Sequence, residues 1–217
     1  MEPLIIFPFL SEIKSELDEI KKAIFSSESV TLVSEPKLGQ LLSLSFLEAS
    51  FLDSGILYHR KVVEDISEFV HDGENLCIFF SEENKFKNNG ICINSIEVTI
   101  NLGQHKTPRV GKLDVVGVSG CLALMIGNDR VEKLLMLILA GNWLNSNLDY
   151  TYDPIFTYLR DSLQENGYIS IVPIVEVQEP DLIELPGIDS VGLKLLRGEW
   201  NKIDLYDQSK RLSELVK

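Results

Sequence analysis

The residues that could do chemistry in this chain are few and far apart. Its three histidines, His59, His71 and His105, form no HxxxH, HxH or HExxH pattern. Its three cysteines, Cys77, Cys92 and Cys121, form no CxxC pair and no zinc spacing, so they read as buried thiols of a reducing compartment. No GxSxG elbow, Walker loop or GxGxxG run is present. Two places keep the form of a site. One is the segment Val30 to Ser43, which reads as a buried strand, a tight glycine turn and a buried helix. Such junctions hold phosphates and metals in α/β proteins. A hard divalent cation there would need oxygen ligands. The turn offers Glu35 but sets Pro36 and Leu38 beside it, with Gly39 closing the turn. The other place is Ser81-Glu82-Glu83, directly after the apolar run Leu76 to Phe80, at what should be the carboxyl end of a buried strand.

A third chemical feature is a basic, acid-free stretch from Gly103 to Lys112. It reads as a loop, and His105, Lys106, Arg109 and Lys112 would be its contacts to a phosphate or an acidic partner. As a class, such a loop is more often simply solvated.

The elements that must position these residues follow from periodicity. Ser11 to Phe25 carries Ile13, Leu17, Ile20 and Ile24 on one helical face and charges on the other. Val30 to Ser34 is a strand, and Gln40 to Asp53 a helix apolar on more than one face. Gly55 is placed as its C′ residue, and Ile56 to Val63 as the next strand. This β-α-β order predicts a parallel sheet with a right-handed crossover. A short helix is expected over Glu64 to Val70, strands over Leu76 to Phe80 and Ile96 to Asn101, and a polar loop over Ser81 to Gly90. Helices are expected over Ser119 to Ile126, Val131 to Leu144 and Thr151 to Gln164. Tyr168 to Val177 reads as an edge strand because Pro173 interrupts it. Beyond Glu179 the pattern weakens until a closing helix over Asp207 to Val216. In that tail, Leu182, Ile183, Leu185, Leu193, Leu195 and Trp200 either finish a core or serve an interface.

Composition narrows the function. With 217 residues and 45% hydrophobic content, the chain can build a real core. There is no apolar run of about 18 residues to span a membrane. The start, with Glu2 and two early prolines, does not read as a secretory signal. A net charge of −13 argues against a broad grip on nucleic acid or on an anionic membrane, and favours a soluble protein or one that docks onto a basic protein partner.

The order of these pieces resembles the DHH phosphoesterase superfamily, in its RecJ-like branch. That family opens with a helix, then a strand ending in an Asp-x-Asp-Gly turn, then a buried helix. Val30 to Ser43 fits the frame with Gly39 in the glycine place and Pro36 and Leu38 where the aspartates would be. Leu76 to Phe80 looks like the later strand that ends in a metal aspartate, replaced here by Ser81 and Glu82. The Asp-His-His signature would follow Ile100, where the chain reads Asn101-Leu102-Gly103-Gln104-His105. Val118 to Leu124 is similar to the Ser-Gly-rich helix. Leu134 to Leu144 is similar to the leucine-rich helix, without its terminal aspartate. No Gly-Gly pair occurs, so the family's Gly-Gly-Gly-His substrate-binding domain has no counterpart.

The resemblance spans about residues 10 to 145. It implies one DHH-like α/β domain over residues 1–217, a mostly parallel sheet with helices on both faces, and a C-terminal extension from about residue 146. It further implies a vestigial site at Glu35, Pro36, Leu38, Gly39, Ser81, Glu82 and Asn101, with no cofactor, no metal and no catalysis. Metal-dead RecJ relatives of this size belong to the archaeal replicative helicase assembly. The implied partners are the GINS complex and the MCM helicase, with at most a weak single-stranded DNA contact and no membrane. The implied location is cytoplasmic, at replication forks. Two alternatives stand beside this. One is a displaced-site nuclease using Glu35, Glu82, Glu83 and His105. The other is a regulatory module that takes a nucleotide or a DNA end beside Gly39.

Overall fold

Helix α1, Leu10–Ser26, forms because Leu10, Ile13, Leu17 and Ile24 line one buried stripe. The computed structural model describes residues 6–70, 75–81, 90–102, 107–127, 129–143, 153–171 and 189–215. Residues 1–169 and 170–217 form two compact units.

In the first unit, strand β1 (Val30–Ser34) is buried along its whole length. Helix α2 (Leu38–Ser54) returns the chain to β2 (Tyr58–Val62), which pairs with β1 in parallel. Gly55 closes α2 at φ 67°, a left-handed backbone that a glycine adopts without strain, as its place in the sequence predicts. Strand β3 (Leu76–Phe80) joins the other side of β1, and β4 (Ile91–Ile93) joins β3. The order is β2-β1-β3-β4, all parallel, so the fold is α/β with a four-stranded parallel sheet. An antiparallel ribbon, β5 (Ile96–Leu102) with β6 (Thr107–Leu113), forms a separate sheet.

Alternation along the strands divides the core. Val30, Leu32, Ile78 and Phe80 face the main core with the helices. Val33, Cys77 and Phe79 face a small cluster with Ile66, Val63 and Phe69. Helices on both faces are therefore not what the described residues show. Among the described residues, one 3₁₀ turn, Ile66–Glu68, and its flanks pack on that second face. The helix expected over Glu64 to Val70 is only this turn.

Helix α3 (Val115–Ile126) is the centre of the unit, with every residue from Val115 to Leu124 buried. A helix apolar all round must be enclosed. It starts four residues before the expected Ser119, because Asp114 caps it by accepting a 2.7 Å hydrogen bond from Gly117 N. The single helix expected over Val131 to Leu144 is broken into α4 (Asp129–Leu134), a 3₁₀ turn (Leu135–Leu137) and α5 (Ile138–Trp143). Helix α6 (Pro154–Glu165) starts on an Asp153 cap with Pro154 in its first turn. Tyr168 to Ile171 is irregular rather than a strand, and the rest of that expected strand lies outside the described residues.

Among its described residues the second unit contains a helical pair, α7 (Ser190–Glu199) and α8 (Leu205–Leu215). Leu193, Leu196 and Leu215 are its buried contacts, with Trp200 partly buried beside them and Leu195 exposed. The weak pattern after Glu179 thus hides a helix at Ser190. Leu182, Ile183 and Leu185 lie outside the described residues. No described helix is long and apolar enough to cross a membrane.

Candidate functional site

In an open parallel sheet, ligands bind where the strand order reverses, beyond the carboxyl ends of the strands. Here the chain goes from β1 outward to β2 and then back to β3 on the other side of β1, so the reversal lies between β1 and β3. Their last paired residues are Val33 and Phe79. Glu35 and Ser81 each lie two residues further on, so the fold brings these two expected site residues to one crest.

The crest is built inward. Ser34 and Ser81 are buried, and Ser81 N donates to Ile93 O at 3.1 Å. Glu35 leaves the strand into a closed local network. Its backbone N–H donates to Gln40 Oε1 at 2.6 Å, and its Oε2 accepts from Gln40 Nε2 at 3.0 Å. Lys37 Nζ lies 2.6 Å from the same oxygen. Gln40 is itself buried, so this side chain satisfies the strand exit from within the helix. Pro36 shapes the exit, and Leu38 is exposed at the first turn of α2.

Gly39 does not make a turn. It lies in the first turn of α2, with no positive φ. A Cβ placed on it would meet Val116 Cγ2 at 3.8 Å, an ordinary contact. The turn comes from Pro36 and the Gln40–Glu35 network instead.

Asn101 does not join the crest. It sits inside β5, opposite Pro108 in the ribbon. There it lines a cleft of about 270 Å³ with Pro8, Phe9, Glu12, Thr99 and Tyr158. Thr99 N donates to Glu12 Oε2 at 3.0 Å across this cleft, and the Phe9 and Tyr158 rings meet edge to face at 5.7 Å.

The expected basic loop is largely strand β6. Arg109 pairs with Ile100 and Lys112 with Glu97, so the two cations point to opposite faces of the ribbon. Gly111, on the Arg109 face, packs under Ile155 of α6. Arg109 and Lys112 therefore do not converge on one phosphate. His71, Glu82, Glu83, His105 and Lys106 lie outside the described residues.

Sequence reasoning passed over Asp114. Its carboxylate is buried at the start of α3, and Gly141 of α5 packs so closely that a Cβ there would collide with it. The signal was an N-cap aspartate directly before Val115-Val116. Two buried hydroxyls, Ser34 Oγ and Ser119 Oγ, reach no hydrogen-bond partner among the described residues.

A pair of metal ions about 3.5–4 Å apart would need several carboxylates and imidazoles converging on it. Among the described residues, no three His, Cys, Asp or Glu side chains cluster in that way. Cys92 and Cys121 are poor nucleophiles. Burial pushes the Cys92 thiol up to about 11, and burial with the Asp114 charge pushes Cys121 up as well. Cys77 and Cys121 are buried and Cys92 is half-buried. No family model matches the chain, and no curated protein matches it.

Proposed function

We propose that this chain is a non-catalytic subunit of the archaeal replicative helicase assembly, built on a DHH-phosphoesterase-like core. In that role it binds the GINS complex and supports DNA unwinding by the MCM helicase at replication forks. One observation carries the reading. The crest where a RecJ-like enzyme would hold its metals is filled by the chain's own contacts, with Glu35 tied to Gln40 and Lys37 and with Pro36 and Leu38 in the aspartate places. The sheet order and the buried α3 are compatible with a core kept for its shape.

The test is co-purification of the full chain with purified GINS, followed by MCM helicase assays with and without both. Saturable binding and faster unwinding are expected. Failure to bind folded GINS at micromolar concentration removes the reading. A manganese-dependent nuclease assay on single-stranded DNA runs beside it. Degradation that disappears in Glu82→Ala would replace the scaffold with an enzyme.

A further inference from the structure

Strand β2 is the outer strand of the parallel sheet among the described residues. Leu57 O accepts from Val30 N at 3.0 Å and Val63 N donates to Ser34 O at 2.9 Å. The odd-numbered residues of this segment therefore turn their backbone toward β1. The N–H and C=O groups of Tyr58, Arg60 and Val62 point the other way, to the open edge.

The side chains alternate across that edge. On the helix side, the Tyr58 ring lies 5.8 Å from Phe51, and Arg60 reaches Glu48 of α2 at 3.5 Å. On the opposite side stand His59 and Lys61, with Lys61 Nζ 5.1 Å above the Phe69 ring. Exposed apolar residues frame the strand: Leu57 at 71%, Leu52 at 56% and Val62 at 48%. In a chain of net charge −13, Arg60 and Lys61 are adjacent cations on a backbone edge.

Lysine on an edge strand commonly keeps other strands away. The repulsion is selective, however. It excludes a second copy of β2, since pairing two such edges would bring Arg60 and Lys61 against their own kind. An acidic strand would meet the opposite field. We propose that the outer edge of β2 docks an extended acidic segment of a partner protein, which adds to the sheet beside Tyr58–Val62. The register specifies the segment. Its acidic side chains fall on the Lys61 face, and its alternate, small uncharged side chains fall beside Tyr58 and Val62, on the face where Arg60 is already paired with Glu48. The edge selects the partner's chemistry, whichever assembly supplies it.

The test uses the full chain and a blocked heptapeptide alternating glutamate with valine or threonine. Calorimetry at low salt should give saturable binding that weakens as salt rises. Hydrogen exchange should slow at the amides of Tyr58, Arg60 and Val62 on binding. The same peptide N-methylated on alternate amides keeps its charge but cannot pair, and should lose the binding. The double variant Arg60→Glu with Lys61→Glu should weaken binding about tenfold or more. Equal binding of the N-methylated peptide, or protection elsewhere only, overturns strand addition. No saturable binding up to about 1 mM peptide also overturns it, leaving the cations as edge protection alone. The peptide arms decide the matter even if the double variant does not fold.

Discussion

At the crest of β1 and β3 the chain turns its polar groups inward, whereas along β2 it turns them outward. Glu35 answers to Gln40 and Lys37, and Ser81 N answers to Ile93 O. On β2, by contrast, every second peptide faces the open side, and His59, Arg60 and Lys61 are all exposed. Both regions belong to one sheet and lie one strand apart. The difference teaches where interaction energy is available. A polar group already satisfied within the fold gains little from a ligand, because binding would exchange one hydrogen bond for another. An exposed backbone edge gains whenever a partner both pairs with it and matches its charge.

The comparison breaks if crest variants prove harmless or edge variants prove costly to the fold. The largest effect is expected for Gly141→Val. The added branch enters the space of the Asp114 carboxylate and Val116, and overpacking of that kind should cost about 3 kcal/mol in urea unfolding. Gln40→Ala comes next. It strips the buried partner of the Glu35 N–H and carboxylate, for a loss of about 2 kcal/mol by the same measurement.

Asp53→Asn tests a tie away from both regions. Desolvation pushes the Asp53 carboxyl up, but the Arg130 backbone N–H, its guanidinium and Val131 N–H together outweigh it and hold the group below its ordinary value of 3.8. A lowered folded pKa contributes stability above the unfolded value and loses it as pH falls through the folded one. Wild type should therefore lose this contribution on acidification, whereas the variant should show a flatter acid limb. At neutral pH the variant should be about 1 kcal/mol less stable, the exposure of Arg130 keeping the figure small. Urea midpoints from neutral pH down through the aspartate range would read both effects.

Gly39→Ala should stabilise α2 by about 0.5–1 kcal/mol, since the site is helical with room for a methyl group. A loss of stability there would restore the glycine turn that the sequence suggested. Last, Arg60→Glu with Lys61→Glu should cost about 0.5 kcal/mol: both side chains stand at the exposed edge, but the change sets a like charge beside Glu48 and removes the Lys61 contact with Phe69. The same variant is expected to alter partner binding strongly, which separates the edge from the crest most directly.

Much of this fold was legible in the chain. The β1–α2–β2 unit, the Gly55 cap and the buried β3 follow from apolar runs and a glycine at the right offset. Strand β6 was not legible. Thr107-Pro108-Arg109-Val110-Gly111-Lys112 has no apolar alternation and a proline, so it reads as a loop. It becomes a strand because β5 supplies its hydrogen bonds and Ile155 covers Gly111, neither of which is a local signal. The break in the leucine-rich segment after Leu134 was equally hidden, since helical spacing alone does not show where packing interrupts a helix. At the crest, the strands end before Glu35 and Ser81 as their apolar runs predict, whereas Asp114 is hidden because the apolar pattern alone starts the helix at Ser119.

What the sequence by itself determined was the set of local commitments: which runs are apolar enough to be buried, and where a glycine such as Gly55 closes a helix. Those rest on hydrophobicity and backbone preference, which act over a few residues. Only the tertiary structure decided which of these positions meet. It brought Glu35 and Ser81 to one crest, sent Asn101 into the ribbon beside Glu12 and Tyr158, and placed Arg109 and Lys112 on opposite faces. Pairing between distant strands sets those neighbours, and strand register fixes the direction of each side chain.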